Sequence, residues 1–121
     1  MRDIENKDDV KTFVDAFYTK VNADDLLAPV FNDDAKVEWS IHLEKMYRFW
    51  GTLLIGTMDY NGSPFDKHIG HNIKSEHFDR WLKLFDETID THFAGPKADE
   101  AKHKAKNIGM IFKYKLQGIG S

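Results

Sequence analysis

Residues 10–21 read VKTFVDAFYTKV, and the spacing of their apolar side chains sets the class of the chain. Val10, Phe13, Val14, Phe17 and Val21 recur at intervals of three and four. That is one face of an amphipathic helix and not the alternation of a half-buried strand. Asn6 stands where an N-cap belongs. Asp8 and Asp9 fill the first turn, where carboxylates meet the positive end of the helix. Tyr18 lies beside the apolar face. The chain then passes through Leu26, Leu27, Ala28, Pro29, Val30 and Phe31 into Asn32-Asp33-Asp34, a turn signal.

The same period returns downstream. A second helix is predicted over about 35–58, with the stripe Trp39, His42, Met46, Phe49, Trp50 and Leu53. Asp59 to Pro64 ends it, with Asn61-Gly62 as a turn pair. Ser63 before Pro64 opens a short helix, about 64–68, that stops at Gly70. Ser75 caps a long helix reaching about Phe93, with Phe78, Trp81, Leu82, Phe85, Ile89 and Phe93 inward. Gly95-Pro96 breaks it. A last helix over about 97–115 turns Ala98, Ala101, Ala105, Ile108, Ile111 and Phe112 inward. No run of β-branched residues alternates with polar ones, so strand signals are weak. The expected fold is all-α: four substantial helices and a short one in a single domain, 1–121, with frayed ends at 1–5 and 117–121.

Composition removes several classes of function. At 121 residues the chain is one domain. With 41% hydrophobic and 13% aromatic residues it is too apolar for a disordered segment. It has no cysteine, which excludes a disulfide scaffold, a zinc finger, a thiolate-held iron–sulfur cluster and a cysteine nucleophile. A formal net charge of -3 speaks against a nucleic-acid partner. No apolar run approaches the roughly 20 residues of a membrane span. The opening MRDIENKDD is charged with no apolar stretch behind it, so it is not a signal peptide. A soluble, cytoplasmic protein is expected.

Six histidines in so short a chain stand out. His42 falls on an apolar helix stripe, where an imidazole must find a hydrogen-bond partner or face a cavity. Tyr18 and Trp81 repeat the pattern, each an apolar body with one polar hydrogen that needs a partner when buried. Each alone reads equally well as a satisfied core residue. Arriving from three helices, with His68 from the short segment, they would suit a polar pocket inside an apolar core. His68-x-x-His71 could chelate a metal, although no carboxylate pair stands one turn away. There is no His-Glu-x-x-His, no paired Glu-x-x-His and no glycine-rich phosphate loop. Asp24-Asp25 and Asp33-Asp34 read as solvated turn charges, and Lys102, Lys104 and Lys106 as an exposed helix face.

In order and spacing, a set of short motifs resembles the truncated haemoglobins, the two-over-two helical globins, and specifically their third group. These are Phe17-Tyr18-x-Lys20-Val21, Pro29-Val30-Phe31-Asn32, Trp39-x-x-His42, Phe49-Trp50, Asp59-Tyr60-Asn61-Gly62-x-Pro64, Lys67-His68 and Phe78-x-x-Trp81-Leu82-Lys83-Leu84-Phe85. The resemblance covers about residues 5–115. It implies a globin-like sandwich enclosing haem b, with His68 as the proximal iron ligand. Tyr18, His42 and Trp81 match the distal polar residues that stabilise the gas ligand. Phe31, Met46, Phe49 and Phe78 match haem-contacting positions, and Lys45 resembles the basic residue that pairs with a haem propionate. His71 has no role to carry over. The implied activity is binding of dioxygen and other small gases. Nitric oxide or peroxide chemistry is expected rather than bulk transport, in a monomer served by an unidentified electron donor. His42 is either a further donor or a gate to solvent. Two rival readings remain at this point: a haem-free helical interaction module, and a helical non-haem metal protein using His68 and His71.

Overall fold

The computed structural model describes residues 1–34, 37–57 and 74–120, without the side chains of 33, 34, 112 and 115–120. The expected short helix, the Asp59–Pro64 turn, His68 and His71 lie outside the described residues. Those residues form four α-helices: α1 (Lys7–Ala23), α2 (Trp39–Ile55), α3 (Ser75–His92) and α4 (Pro96–Gly120). A single π-helical turn, Val30–Asp34, follows α1 where the sequence suggests an open turn. α1 packs on α2 and on α3, α3 packs on α4, and α2 touches α4, so two helix pairs close on one core.

Each helix begins for a local reason. Asn6 caps α1 by accepting from the Asp9 backbone N–H at 2.9 Å, and Asp9 reaches back to the Asn6 N–H to complete a capping box. α2 starts at Trp39, four residues later than expected, because the Glu38 carboxylate accepts from both the backbone N–H and the hydroxyl of Ser40. It ends at Ile55 and not at Met58, since Gly56 takes a left-handed φ of 66°. In α3, Ser75 is the first helical residue and not the cap. The His77 ring nitrogen accepts the Lys74 N–H at 2.8 Å and fixes the start there.

The core follows the apolar stripes. Val10, Phe13, Val14, Phe17 and Val21 are buried on α1; His42, Met46, Trp50 and Leu54 on α2; Trp81, Phe85 and Ile89 on α3. Phe85 is the hub. Its ring meets Phe13 at 5.9 Å and Phe17 at 5.3 Å edge-on, and stacks on Trp50 at 4.9 Å and Trp81 at 5.7 Å. On α4 the inward stripe is Ala98, Ala101 and Ala105, continued by buried Gly109. A Cβ at Gly109 would stand 3.1 Å from Leu82 Cδ1, so the small residues let α3 and α4 approach closely. Ile111, expected inward, is 54% exposed, because the stripe passes through Ile108 and drifts off the α3 contact beyond Gly109.

α4 runs on through Gly120, with no proline to stop it. At the other end Ile4 is buried, and Asp3 caps α4: its carboxylate accepts from the Lys97 and Ala98 backbone N–H groups, both at 2.9 Å. Burial works against the Asp3 charge, but the N–H groups of Lys97, Ile4 and Ala98 outweigh it and hold the carboxyl below its ordinary range. Arg2 holds Asp9 in an ion pair, and this, against a smaller desolvation effect, also draws the Asp9 pKa down. Both groups therefore contribute stability that is present above the usual Asp pKa of about 3.9 and is lost as pH falls through their depressed values. Asp9→Asn should be less stable than the unaltered chain at neutral pH. Urea melts taken on acidification to about pH 3 should show the gap closing.

Gly95 sits at the joint between α3 and α4 with φ at +139°, and a Cβ there would lie 2.6 Å from Asp3 Cγ. Gly95→Ala should lower stability by about 1–3 kcal/mol through backbone strain alone. Loss of the Asp3 cap should add to this, seen as a lower melting temperature. No described helix is long and apolar enough to cross a membrane.

Candidate functional site

Three helices bring Tyr18, His42 and Trp81 to one place. Tyr18 sits one residue past Phe17 on α1, which turns its ring toward α2 while Phe17 faces α3. It is 2% exposed. Its ring meets His42 edge-on at 5.1 Å and 85°, Trp39 at 5.6 Å and Phe31 at 6.0 Å. His42 is 5% exposed and also stands edge-on to Trp39, at 5.7 Å. Trp81 enters from α3, against the edge of Phe17 at 5.5 Å.

The polar atoms are ordered within this apolar shell. Burial pushes the Tyr18 phenol well above its ordinary range, partly offset by a hydrogen bond with the Trp81 side chain. An indole nitrogen only donates, so Trp81 gives its hydrogen to the Tyr18 oxygen, and Tyr18 stays neutral with its own hydrogen to give. Next to Trp81 in sequence, the Arg80 guanidinium donates to Asp24 Oδ1 at 2.8 Å and ties α3 to the turn after α1. Asp24 is no solvated turn charge. Its other oxygen accepts from the Leu26 and Leu27 N–H groups and caps the turn after α1.

The remaining expected residues divide. Phe31 joins the cluster, supplied by the π-helical turn, and stacks on Trp39 at 5.9 Å and 28°. Met46 is fully buried one turn beyond His42. Phe49 is half-buried against Trp50 at 5.3 Å, and Phe78 is half-buried one turn before Trp81. Lys45 is exposed on α2. Among the described residues no three His, Asp or Glu side chains gather as a metal site.

Trp39 belongs to the cluster although no site role was assigned to it on sequence. The available signal was its place three residues before His42 on the same stripe. Its indole N–H donates to Asn32 Oδ1 at 2.7 Å, and Asn32 donates to Asn22 Oδ1 at 3.0 Å. Outside it, between α1 and α2, lies an open cleft of about 390 Å³ lined by Asp15, Tyr18, Thr19, Asn22, Trp39, Leu43 and Tyr47. Burial and the hydrogen bond that its hydroxyl donates to Asp15 push the Tyr47 phenol up to about 12.

The sequence model of the bacterial-like globin family matches residues 3–112. The group 3 truncated hemoglobin ctb of Campylobacter jejuni is 32% identical over 119 residues, covering 95% of this chain and 94% of that one. The group 1 truncated hemoglobin GlbN of a Nostoc species is 31% identical over 94 residues, covering 77% and 75%. The crystal structure of the Campylobacter jejuni group III truncated hemoglobin superposes with a TM-score of 0.85 at 31% identity, over 96% of this chain and 95% of that one.

Proposed function

The chain belongs to the bacterial-like globins as a group III truncated haemoglobin, and from that membership we propose that it holds haem b through His68 and binds a small gas against Tyr18, His42 and Trp81. The family implies haem and a diatomic ligand; the residue roles are our reading. The observation that carries it is the convergence of buried Tyr18, His42 and Trp81 from three helices inside a sheath of aromatic rings.

The donor set suits the group. Bound haem supplies an iron that coordinates dioxygen, carbon monoxide or nitric oxide. His68 would hold it, and a ligating imidazole must be neutral. Phe31, Met46, Phe49 and Phe78 offer apolar contact to a flat porphyrin, and exposed Lys45 offers a cation to a propionate. Tyr18 donates its hydrogen to a guest that draws negative charge, and Trp81 fixes the direction of that hydroxyl. The aromatic shell keeps water from competing for it. A strong donor in a dry site slows release of a charged guest. That favours nitric oxide or peroxide chemistry over transport, with reducing equivalents from a donor yet to be identified. A monomeric, cytoplasmic protein fits the same reading.

Hemin titration tests it. The purified protein should turn red and develop a Soret band, and His68→Ala should abolish or shift that band. A protein that stays colourless with hemin supplied would return the chain to the reading of an interaction module.

A further inference from the structure

The cleft between α1 and α2 shares two residues with the buried cluster, Tyr18 and Trp39. Tyr18 is 2% exposed, so the cleft stops short of the pocket, and the half-buried Trp39 ring stands at the boundary. That ring hangs on the first residue of α2. Besides its ring contacts with Phe31, Tyr18 and His42, it is held shut by a chain of two neutral bonds, Trp39 to Asn32 and Asn32 to Asn22. Both asparagines are exposed, so water competes for each bond.

Resting on the haem reading above, we infer that gas reaches the buried pocket through this cleft, and that Trp39, latched by Asn32 onto Asn22, is its door. The lining suits a small uncharged guest. Leu43, Trp39 and Tyr47 supply the apolar part of a lining to which Asp15, Thr19 and Asn22 add polar groups. The one carboxylate on the path, Asp15, is already engaged by the Tyr47 hydroxyl and by Lys11 Nζ at 2.7 Å. With Trp39 swung aside the cleft opens onto Tyr18, and with it returned the pocket is again sealed. His42 touches the Trp39 ring edge-on at 5.7 Å, so its own part in gas entry has to be tested beside that of the cleft.

The experiment is carbon monoxide association after flash photolysis of the haem-loaded protein, read beside hydrogen exchange of the Trp39 indole N–H in both loaded and haem-free protein. Asn32→Ala keeps the ring and removes both neutral bonds of the latch. It should speed both indole exchange and carbon monoxide association by about fivefold. Leu43→Trp, which fills the cleft, should slow association severalfold. Should Leu43→Trp fail to fold, Asn32→Ala, at an exposed position, still decides. Faster indole exchange with unchanged association would show a ring that moves without admitting gas, and would overturn the inference. So would His42→Leu accelerating association while both cleft variants leave it unchanged, since the way in would then be at His42. A protein that takes up no haem defeats the function proposed above; a red protein whose association ignores the cleft defeats only the door.

Discussion

Tyr18→Phe should release dioxygen about 10–100-fold faster than the unaltered protein, the factor expected for losing a hydrogen bond to a charged partner. The phenol is buried, neutral and oriented by Trp81. Phenylalanine keeps the ring and its contacts with Phe17, Phe31, Trp39 and His42, so packing changes little. What goes is the donor itself, together with the acceptor that engages the Trp81 hydrogen. Stopped-flow displacement of dioxygen by carbon monoxide measures the rate. A change within about twofold would remove Tyr18 from the binding role, because it would correspond to less than the weakest hydrogen bond normally measured. Trp81→Phe is the companion. It leaves the Tyr18 hydrogen in place but loosens its aim, so its effect should fall between the two. Mixing the dioxygen-loaded protein with nitric oxide then tests the chemistry: absence of a fast conversion to ferric haem would end the nitric oxide reading.

Phe85→Ala should cost about 3–5 kcal/mol of folding stability, the upper range for deleting a buried aromatic ring. Phe85 is wholly buried and touches rings from α1, α2 and its own helix. No single neighbour can move into the space without breaking contact with another. Because domains of this size have about 5–15 kcal/mol in all, the variant should sit close to its unfolding threshold. Haem, which binds the folded state, should restore part of the loss. Urea melts with and without hemin check both statements. A loss under about 1 kcal/mol would mean that Trp50 and Trp81 close the gap, and the core would then be softer than its geometry indicates.

How far the sequence carried depends on what kind of force sets each feature. Helical periodicity foretold the four long helices, and the buried faces of α1 and α3 follow it closely, because burial of an apolar stripe is a property of spacing alone. The ends were less legible. Glu38, His77 and Asp3 each start a helix through one side chain, and Asp3 does so from 94 residues away. No local pattern announces such a partner. Tyr18, His42 and Trp81 could be singled out, since each puts a polar atom on an apolar face. Their order could not, because the Trp81-to-Tyr18 direction depends on how three helices meet. Trp39 was hidden for the opposite reason: on a stripe of large apolar residues it looks like filler until the Asn32 bond is seen. The motifs that resemble truncated haemoglobins named the family, and 32% identity over nearly the whole chain bears that out.

The tie between Asp3 and the start of α4 has a bearing on biosynthesis. Asn6 and Arg2 can engage α1 early, but Asp3 has no helix start to cap until residue 98 has been made. Through most of translation that tie is open, and closure of so large a loop comes late.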